Sequence, residues 1–207
     1  MQKNGHEKTL RLTQLGILIA VQAILTFTPL GFITWLPLAV SITLMHVPVI
    51  IGGVLLGPLY GGVLGLFFGV FSMIKASIAA VSPVDMMFSP LLSGSPVASV
   101  VMCVVPRILL GLVAAYLFSF LARRMRQGVA IAVSAAVATA VHTVGVLGLL
   151  SLFFKALPLK EVFAAVVAVN GLLEILVAVV VVLGREHFSR TRLRQGYGGQ
   201  GVAEVGD

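Results

Sequence analysis

Four polar side chains that could bind a solute or carry a proton lie deep inside apolar segments: Arg107, His142, Asn170 and Glu174. An arginine can donate paired hydrogen bonds to a carboxylate. Histidine and glutamate inside a membrane are typical of proton relays. Because a charged group is costly to bury in an apolar segment, each of these residues is a candidate for a functional site.

The same residues also allow a purely structural interpretation. Arg107 and Glu174 could form an ion pair, while Asn170 and His142 form hydrogen bonds between helices. His46 is interpreted in a similar way, as a packed or bridging histidine. The sequence alone leaves both interpretations open.

Enzymatic chemistry is not expected. The sequence has no Ser/His/Asp set within reach, no HExxH, no paired aspartates for a divalent metal and no GxxxxGK[ST] phosphate loop. We therefore predict no catalytic residues, no metal site and no cofactor on this chain. If the protein moves a solute against a gradient, an ion gradient or a partner must supply the energy.

The composition is that of an integral membrane protein. Of 207 residues, 59% are hydrophobic and only 10% are charged. The long unbroken apolar runs indicate transmembrane helices rather than the alternating strands of a membrane barrel. The net charge of +7 comes from basic residues at the chain ends and in one loop. That distribution indicates membrane topology and not nucleic-acid binding. The single cysteine, Cys103, is expected to pack as a small hydrophobe.

Prolines, glycines and polar clusters divide the chain into an all-α bundle of six predicted transmembrane helices. The predicted spans cover residues 10–28, 39–56, 58–78, 97–121, 129–154 and 161–183. They form one membrane domain, 10–184, between a polar N-terminal segment, 1–9, and a basic, then Gly-rich tail, 185–207, expected to be disordered. Pro48 should kink the second span. The long apolar loop 79–96 is expected to fold back on the protein as a lid.

The basic residues orient the bundle, because six spans place both termini on one side. Ten Lys or Arg residues lie at the termini and after the fourth span, against three on the opposite face. The ten are Lys3, Lys8, Arg11, Arg123, Arg124, Arg126, Arg185, Arg190, Arg192 and Arg194, and the three are Lys75, Lys155 and Lys160. Basic loops favour the cytoplasm. We therefore predict a multi-pass protein of the cell membrane with both termini cytoplasmic.

The buried polar residues are predicted to lie at similar depth. Arg107 and Asn170 lie about ten residues into the fourth and sixth spans, and His142 lies about thirteen into the antiparallel fifth. At about 1.5 Å per residue, these positions fall within a turn or two of one another. Asn170 and Glu174 are four residues apart and share a helix face. These groups could therefore line one polar pocket.

Glycines dominate the second and third spans. Gly53, Gly57, Gly61, Gly65 and Gly69 recur every four residues, so they share one slowly drifting helix face. Such faces let helices approach closely in lipid, and the Gly–Pro pair at 57–58 indicates a tight turn. We expect this stretch to act as a scaffold, with its turn at 57–58 on the cytoplasmic side away from the pocket and the chemistry carried by the fourth to sixth spans.

Four motifs resemble a single family. The run MHVPVIIGGVLLGPLYGGVLGLFFGVFSMI at 45–74 is similar to the second and third helices of S components, the substrate-binding subunits of energy-coupling factor (ECF) vitamin transporters. FSP at 88–90, PRILLGL at 106–112 and NGLLE at 170–174 most resemble the pantothenate-type branch. The resemblance covers most of residues 10–184.

The resemblance implies a six-helix subunit that captures a B-vitamin, best matched by pantothenate, from outside. It would then topple in the bilayer against a transmembrane coupling subunit driven by two cytoplasmic ATPases, which would hydrolyse the ATP. In this family a small-xxx-small motif on the first helix contacts the coupling subunit. The matching residues here are Gly16, Ala20 and Ala23.

For pantothenate, the resemblance places Arg107 at the carboxylate, with Asn170 and Glu174 at hydroxyl and amide groups. Trp35 and Phe88 would supply apolar walls or a lid.

His142 departs from the pantothenate-type pattern, which has asparagine there. Cobalamin, riboflavin and pyridoxine therefore stay open as substrates. From other classes, the alternatives are a stand-alone proton-coupled carrier, with Glu174 and His142 as the relay, and a structural membrane subunit without a ligand.

Overall fold

The computed structural model describes residues 2–28, 32–33, 42–80 and 83–154, which form six helices and one short pair of strands. The helices are α1 (Gln2–Phe27), α2 (His46–Leu56), α3 (Pro58–Ile78), α4 (Pro83–Met87), α5 (Pro96–Leu121) and α6 (Gln127–Phe154). The strands β1 (Phe32–Ile33) and β2 (Ile42–Thr43) are antiparallel, with Phe32 opposite Thr43 and Ile33 opposite Ile42.

Four of these helices are long and apolar enough to cross a membrane, namely α1 from Glu7 onward, α3, α5 and α6. They correspond to the first, third, fourth and fifth predicted spans. The chain is therefore a multi-pass helical membrane protein, as its composition predicts. The predicted sixth span, 161–183, and the tail, 185–207, lie outside the described residues.

The second predicted span is wrong at its start. A helix over 39–56 is predicted, but α2 begins only at His46, because residues 42–43 pair with 32–33 as strands. The 11 residues of α2 extend about 16 Å, roughly half of a hydrocarbon core. Pro48, where a kink is predicted, lies in the first turn of α2 and not inside a longer helix. A backbone N–H has no acceptor within the helix at that position, so the proline removes no helical hydrogen bond.

The first helix is longer than predicted, since α1 begins at Gln2 and the predicted span begins at residue 10. The loop 79–96 contains a helix that the sequence analysis does not predict, the single turn α4.

The predicted tight turn between the second and third spans is confirmed. A single residue, Gly57, separates α2 from α3, and its φ is +103°. A residue with a Cβ atom is strained at this positive φ, so glycine, which has no Cβ, is favoured at this turn. Pro58 then occupies the first position of α3, where its fixed φ favours helix initiation.

The glycine face of α3 lies against the backbone of α5. At three successive turns a glycine of α3 meets a carbonyl of α5, and the pairs are Gly61 with Gly111, Gly65 with Arg107 and Gly69 with Cys103. A Cβ at Gly61 would lie 2.6 Å from the Gly111 oxygen, and a Cβ at Gly69 would lie 2.7 Å from the Cys103 oxygen. Any side chain larger than hydrogen would therefore push the two helices apart.

The core lies where α2, α3, α5 and α6 meet. Its buried members are Met45, Val49, Ile50, Leu64, Phe68, Leu110, Ala114, Ala135 and Ala138. Phe68 is the largest fully buried side chain among the described residues. Small residues on α5 and α6 leave room for it, so the close helix contacts and the bulky aromatic fit together.

Alanine substitutions at two glycines of α3 should have opposite effects. At Gly65 the new methyl group would meet the Arg107 carbonyl. We expect overpacking there to destabilise the protein by about 1–3 kcal/mol. At Gly62 the nearest atom to the new methyl group is Leu112 Cδ2, at an ordinary 3.5 Å. The better helix propensity of alanine should stabilise that variant by about 0.5–1 kcal/mol.

The measurement is unfolding of Gly65→Ala and Gly62→Ala in the same detergent. Equal stability of the two variants would contradict the close contact between α3 and α5.

Candidate functional site

Arg107 is buried in α5 between two phenyl rings. Its guanidinium carbon lies over the Phe68 ring of α3 and over the Phe88 ring of the loop 79–96, 5.3 Å from each centroid. An aromatic face attracts a cation, and the attraction grows when water is excluded. The two rings therefore stabilise the charge of Arg107 without accepting a conventional hydrogen bond from it.

The N–H groups of Arg107 are only partly used. Nη1 donates to the carbonyl oxygen of Met102, at 2.6 Å, on the same helix. Nε is buried and has no hydrogen-bond partner among the described residues. A buried donor without an acceptor costs about 1–3 kcal/mol, so this N–H group is positioned to gain from an acceptor supplied by a ligand.

His142 belongs to the same cluster through Phe68. The imidazole of His142 on α6 lies 5.7 Å from the Phe68 ring, centroid to centroid, with 30° between the planes. Within the described part of the chain, its buried Nε2 has no hydrogen-bond partner, and neither does Oγ1 of Thr139, one turn earlier on α6. The site therefore has unsatisfied polar atoms on α5 and on α6.

The loop 79–96 is tied to both neighbouring helices. Ser89 Oγ lies 2.8 Å from Ser77 Oγ of α3 and accepts hydrogen bonds from the backbone of Leu91 and Leu92. From α5, the Ser99 hydroxyl donates to Met87 O at 2.7 Å. The predicted folding of this loop onto the protein is confirmed.

The same loop is also fixed directly beside the cation. The Cys103 thiol of α5 donates to the carbonyl oxygen of Phe88 at 3.3 Å. Cys103 is a buried free thiol, as predicted, and it also holds the backbone of the residue that covers Arg107.

The structure brings together three of the predicted site residues. Arg107 and His142 both lie against Phe68, and Phe88 lies against Arg107. Trp35, Asn170 and Glu174 lie outside the described residues, so their places in the pocket and the Arg107–Glu174 ion pair stay predictions.

Phe68 is a site residue that the sequence analysis missed, and it lies in the stretch predicted to be a scaffold. The structure adds a second role for α3, whose Phe68 ring contacts both Arg107 and His142. From sequence alone, an aromatic residue in an apolar run is interpreted as part of the hydrophobic core. The pattern that could have identified it is its spacing, since Phe68 follows Gly65 by three residues and shares the same face of the helix.

The residues predicted to contact a coupling subunit lie on α1. Gly16 and Ala20 are exposed and Ala23 is half-buried. No atom lies within 4 Å of a Cβ built at Gly16, so nothing in the described part of the chain packs against this position.

A buried cation in contact with aromatic rings, with a donor that has no partner in the described part of the chain, is suited to binding an acidic solute. Comparison with known proteins agrees with a solute-binding role. The profile of the family described as ECF transporter, substrate-specific component, matches residues 10–184. The chain belongs to this family, and the match confirms the family that the sequence motifs predict.

One curated relative resembles the chain over most of its length. It is the pantothenic acid transporter PanT of Lactococcus lactis subsp. cremoris (strain MG1363), which is 34% identical over 177 residues. The match covers 81% of this chain and 87% of the relative. The relative agrees with the pantothenate-type branch that the motifs indicate.

Proposed function

We propose that the protein is the substrate-binding subunit of an ECF-type importer of the cell membrane and that its substrate is pantothenate. Family membership supports a vitamin-specific transport subunit, and the relative in Lactococcus lactis supports pantothenate. The structural observation that carries the proposal is the buried Nε of Arg107, which has no hydrogen-bond partner among the described residues. Pantothenate has the carboxylate that this donor needs.

Each polar group of the substrate has a proposed partner. Arg107 binds the carboxylate, since a charge-assisted hydrogen bond is strongest where water is excluded. His142 adds a second polar contact from α6, while Asn170 and Glu174 bind the hydroxyl and amide groups. Phe88 and Trp35 cover the apolar part of the molecule.

Transport requires partners. The chain, with six spans and both termini in the cytoplasm, would deliver the vitamin by toppling against the transmembrane coupling subunit. Two cytoplasmic ATPases would hydrolyse the ATP. The exposed Gly16 and Ala20, with Ala23 beside them, form the proposed contact with the coupling subunit, because their small side chains let another helix approach closely.

The substrate is tested by titrating the purified protein with pantothenate and with panthenol, its neutral alcohol analogue. In Arg107→Met the charge is lost while a long side chain is kept. We expect pantothenate binding to weaken about 10- to 100-fold, the value of a hydrogen bond to a charged group. Panthenol binding should change by less than about threefold, because it brings no carboxylate to the guanidinium.

The matched control is Arg124→Met. Arg124 also stacks on an aromatic ring, Phe120, at 5.1 Å, but it follows the end of α5 away from the site. The Arg124→Met substitution should leave the affinities for pantothenate and for panthenol unchanged. An equal loss of affinity for pantothenate and for panthenol in Arg107→Met would mean that Arg107 has a structural role. If the unchanged protein binds neither ligand, the proposed substrate is wrong.

The coupling contact is tested by Gly16→Leu. Because a Cβ at Gly16 meets no atom within 4 Å, the chain should fold and bind pantothenate as before. Uptake by cells that contain the complete transporter should fall at least about tenfold, since the leucine side chain would separate the two subunits.

Gly148→Leu provides the control, because Gly148 is also exposed with no atom near its Cβ, but it lies on α6. Normal uptake in Gly16→Leu would contradict the proposed contact. Uptake by the purified chain alone in vesicles would instead favour a stand-alone carrier.

A further inference from the structure

A proline inside α5 precedes the buried arginine. Pro106 lies in the middle of this 26-residue helix. In an α-helix the N–H of residue 106 would donate to the carbonyl oxygen of residue 102. Proline has no N–H, so the Met102 carbonyl loses its helical donor.

The arginine side chain replaces the missing donor. Arg107 Nη1 donates to that same Met102 oxygen, at 2.6 Å. A buried carbonyl without a donor is costly, and a charged donor one residue after the proline satisfies it. The guanidinium is therefore held back along its own helix, instead of reaching toward another part of the bundle.

The anchored position agrees with every other contact of the side chain. With Nη1 on Met102, the guanidinium lies between the rings of Phe68 and Phe88, and Nε keeps no partner among the described residues. The proline ring also sets the approach of α6, since a Cβ at Gly145 would lie 3.3 Å from Pro106 Cβ. Gly145 follows His142 by three residues on that helix.

We propose that Pro106 is a positioning residue for the substrate site. By freeing the Met102 carbonyl, it directs the Arg107 guanidinium to the place where its remaining donors meet an anionic ligand. The ligand part of this inference rests on the proposed function. The anchoring part does not, because it concerns contacts within the chain.

The first test is binding by Pro106→Ala, which restores the backbone donor to Met102. The backbone N–H then satisfies this carbonyl, so the carbonyl no longer depends on the guanidinium and anchors it less strongly. Pantothenate affinity should fall about tenfold, while panthenol affinity should stay within about twofold. Pro96→Ala, the same change at the exposed first turn of α5, should alter neither. If Pro106→Ala lowers the affinities for pantothenate and panthenol equally, or lowers neither, the inference is overturned.

The second test needs no ligand. The melting temperatures of the unchanged protein, Pro106→Ala, Arg107→Met and the double variant form a cycle. In Arg107→Met the Met102 carbonyl has lost both donors. Restoring the backbone N–H should therefore raise the melting temperature by about 3 °C more in that background than in the unchanged one.

The two tests separate the possible failures. If the unchanged protein binds no pantothenate, the proposed substrate is wrong, and the cycle of melting temperatures alone upholds or overturns the role of Pro106. Pro106→Ala could also change the melting temperature equally in the unchanged protein and in Arg107→Met. That result would show that Arg107 does not donate to the Met102 carbonyl, and it would overturn the inference.

Discussion

At Gly65 the backbone of α3 lies against the carbonyl of Arg107 with no side chain between them. This contact sets the distance between the two helices that form the site. It also places Phe68, on the same face of α3, under the guanidinium. Because glycine is repeated at Gly61 and Gly69, the approach is fixed over three turns, and neither helix can tilt away without losing contact. The glycine stripe and the charged site are therefore parts of one arrangement.

A lone cation inside a bilayer would be expensive, and the structure reduces that cost in two ways. The guanidinium carbon lies over two aromatic rings, and the carbonyl of Met102 accepts a hydrogen bond from Nη1. Neither contact uses Nε, which has no hydrogen-bond partner among the described residues. Binding an acidic solute then requires little reorganisation of the site, which favours affinity because few side chains are ordered on binding. The proposed function follows from this combination of a fixed cation and an unused donor.

Much of this arrangement could be predicted from the sequence because it depends on local composition and spacing. The apolar runs gave four spans that the structure confirms, and the four-residue glycine repeat predicted close packing. Other features depend on residues that are distant in sequence. Phe68 joins the candidate site only because α5 and α6 bring Arg107 and His142 into contact with its ring. The late start of α2 depends on strand pairing with residues 32–33, which hydropathy does not reveal.

An experimental structure of the protein with pantothenate bound would test the central claim most directly. The measured quantity is the distance from the pantothenate carboxylate to the guanidinium of Arg107. The account predicts a hydrogen-bonded distance of about 2.7–3.2 Å, with the guanidinium still over the Phe68 and Phe88 rings and Nη1 still on Met102. A carboxylate bound elsewhere, with Arg107 paired to Glu174 instead, would contradict it.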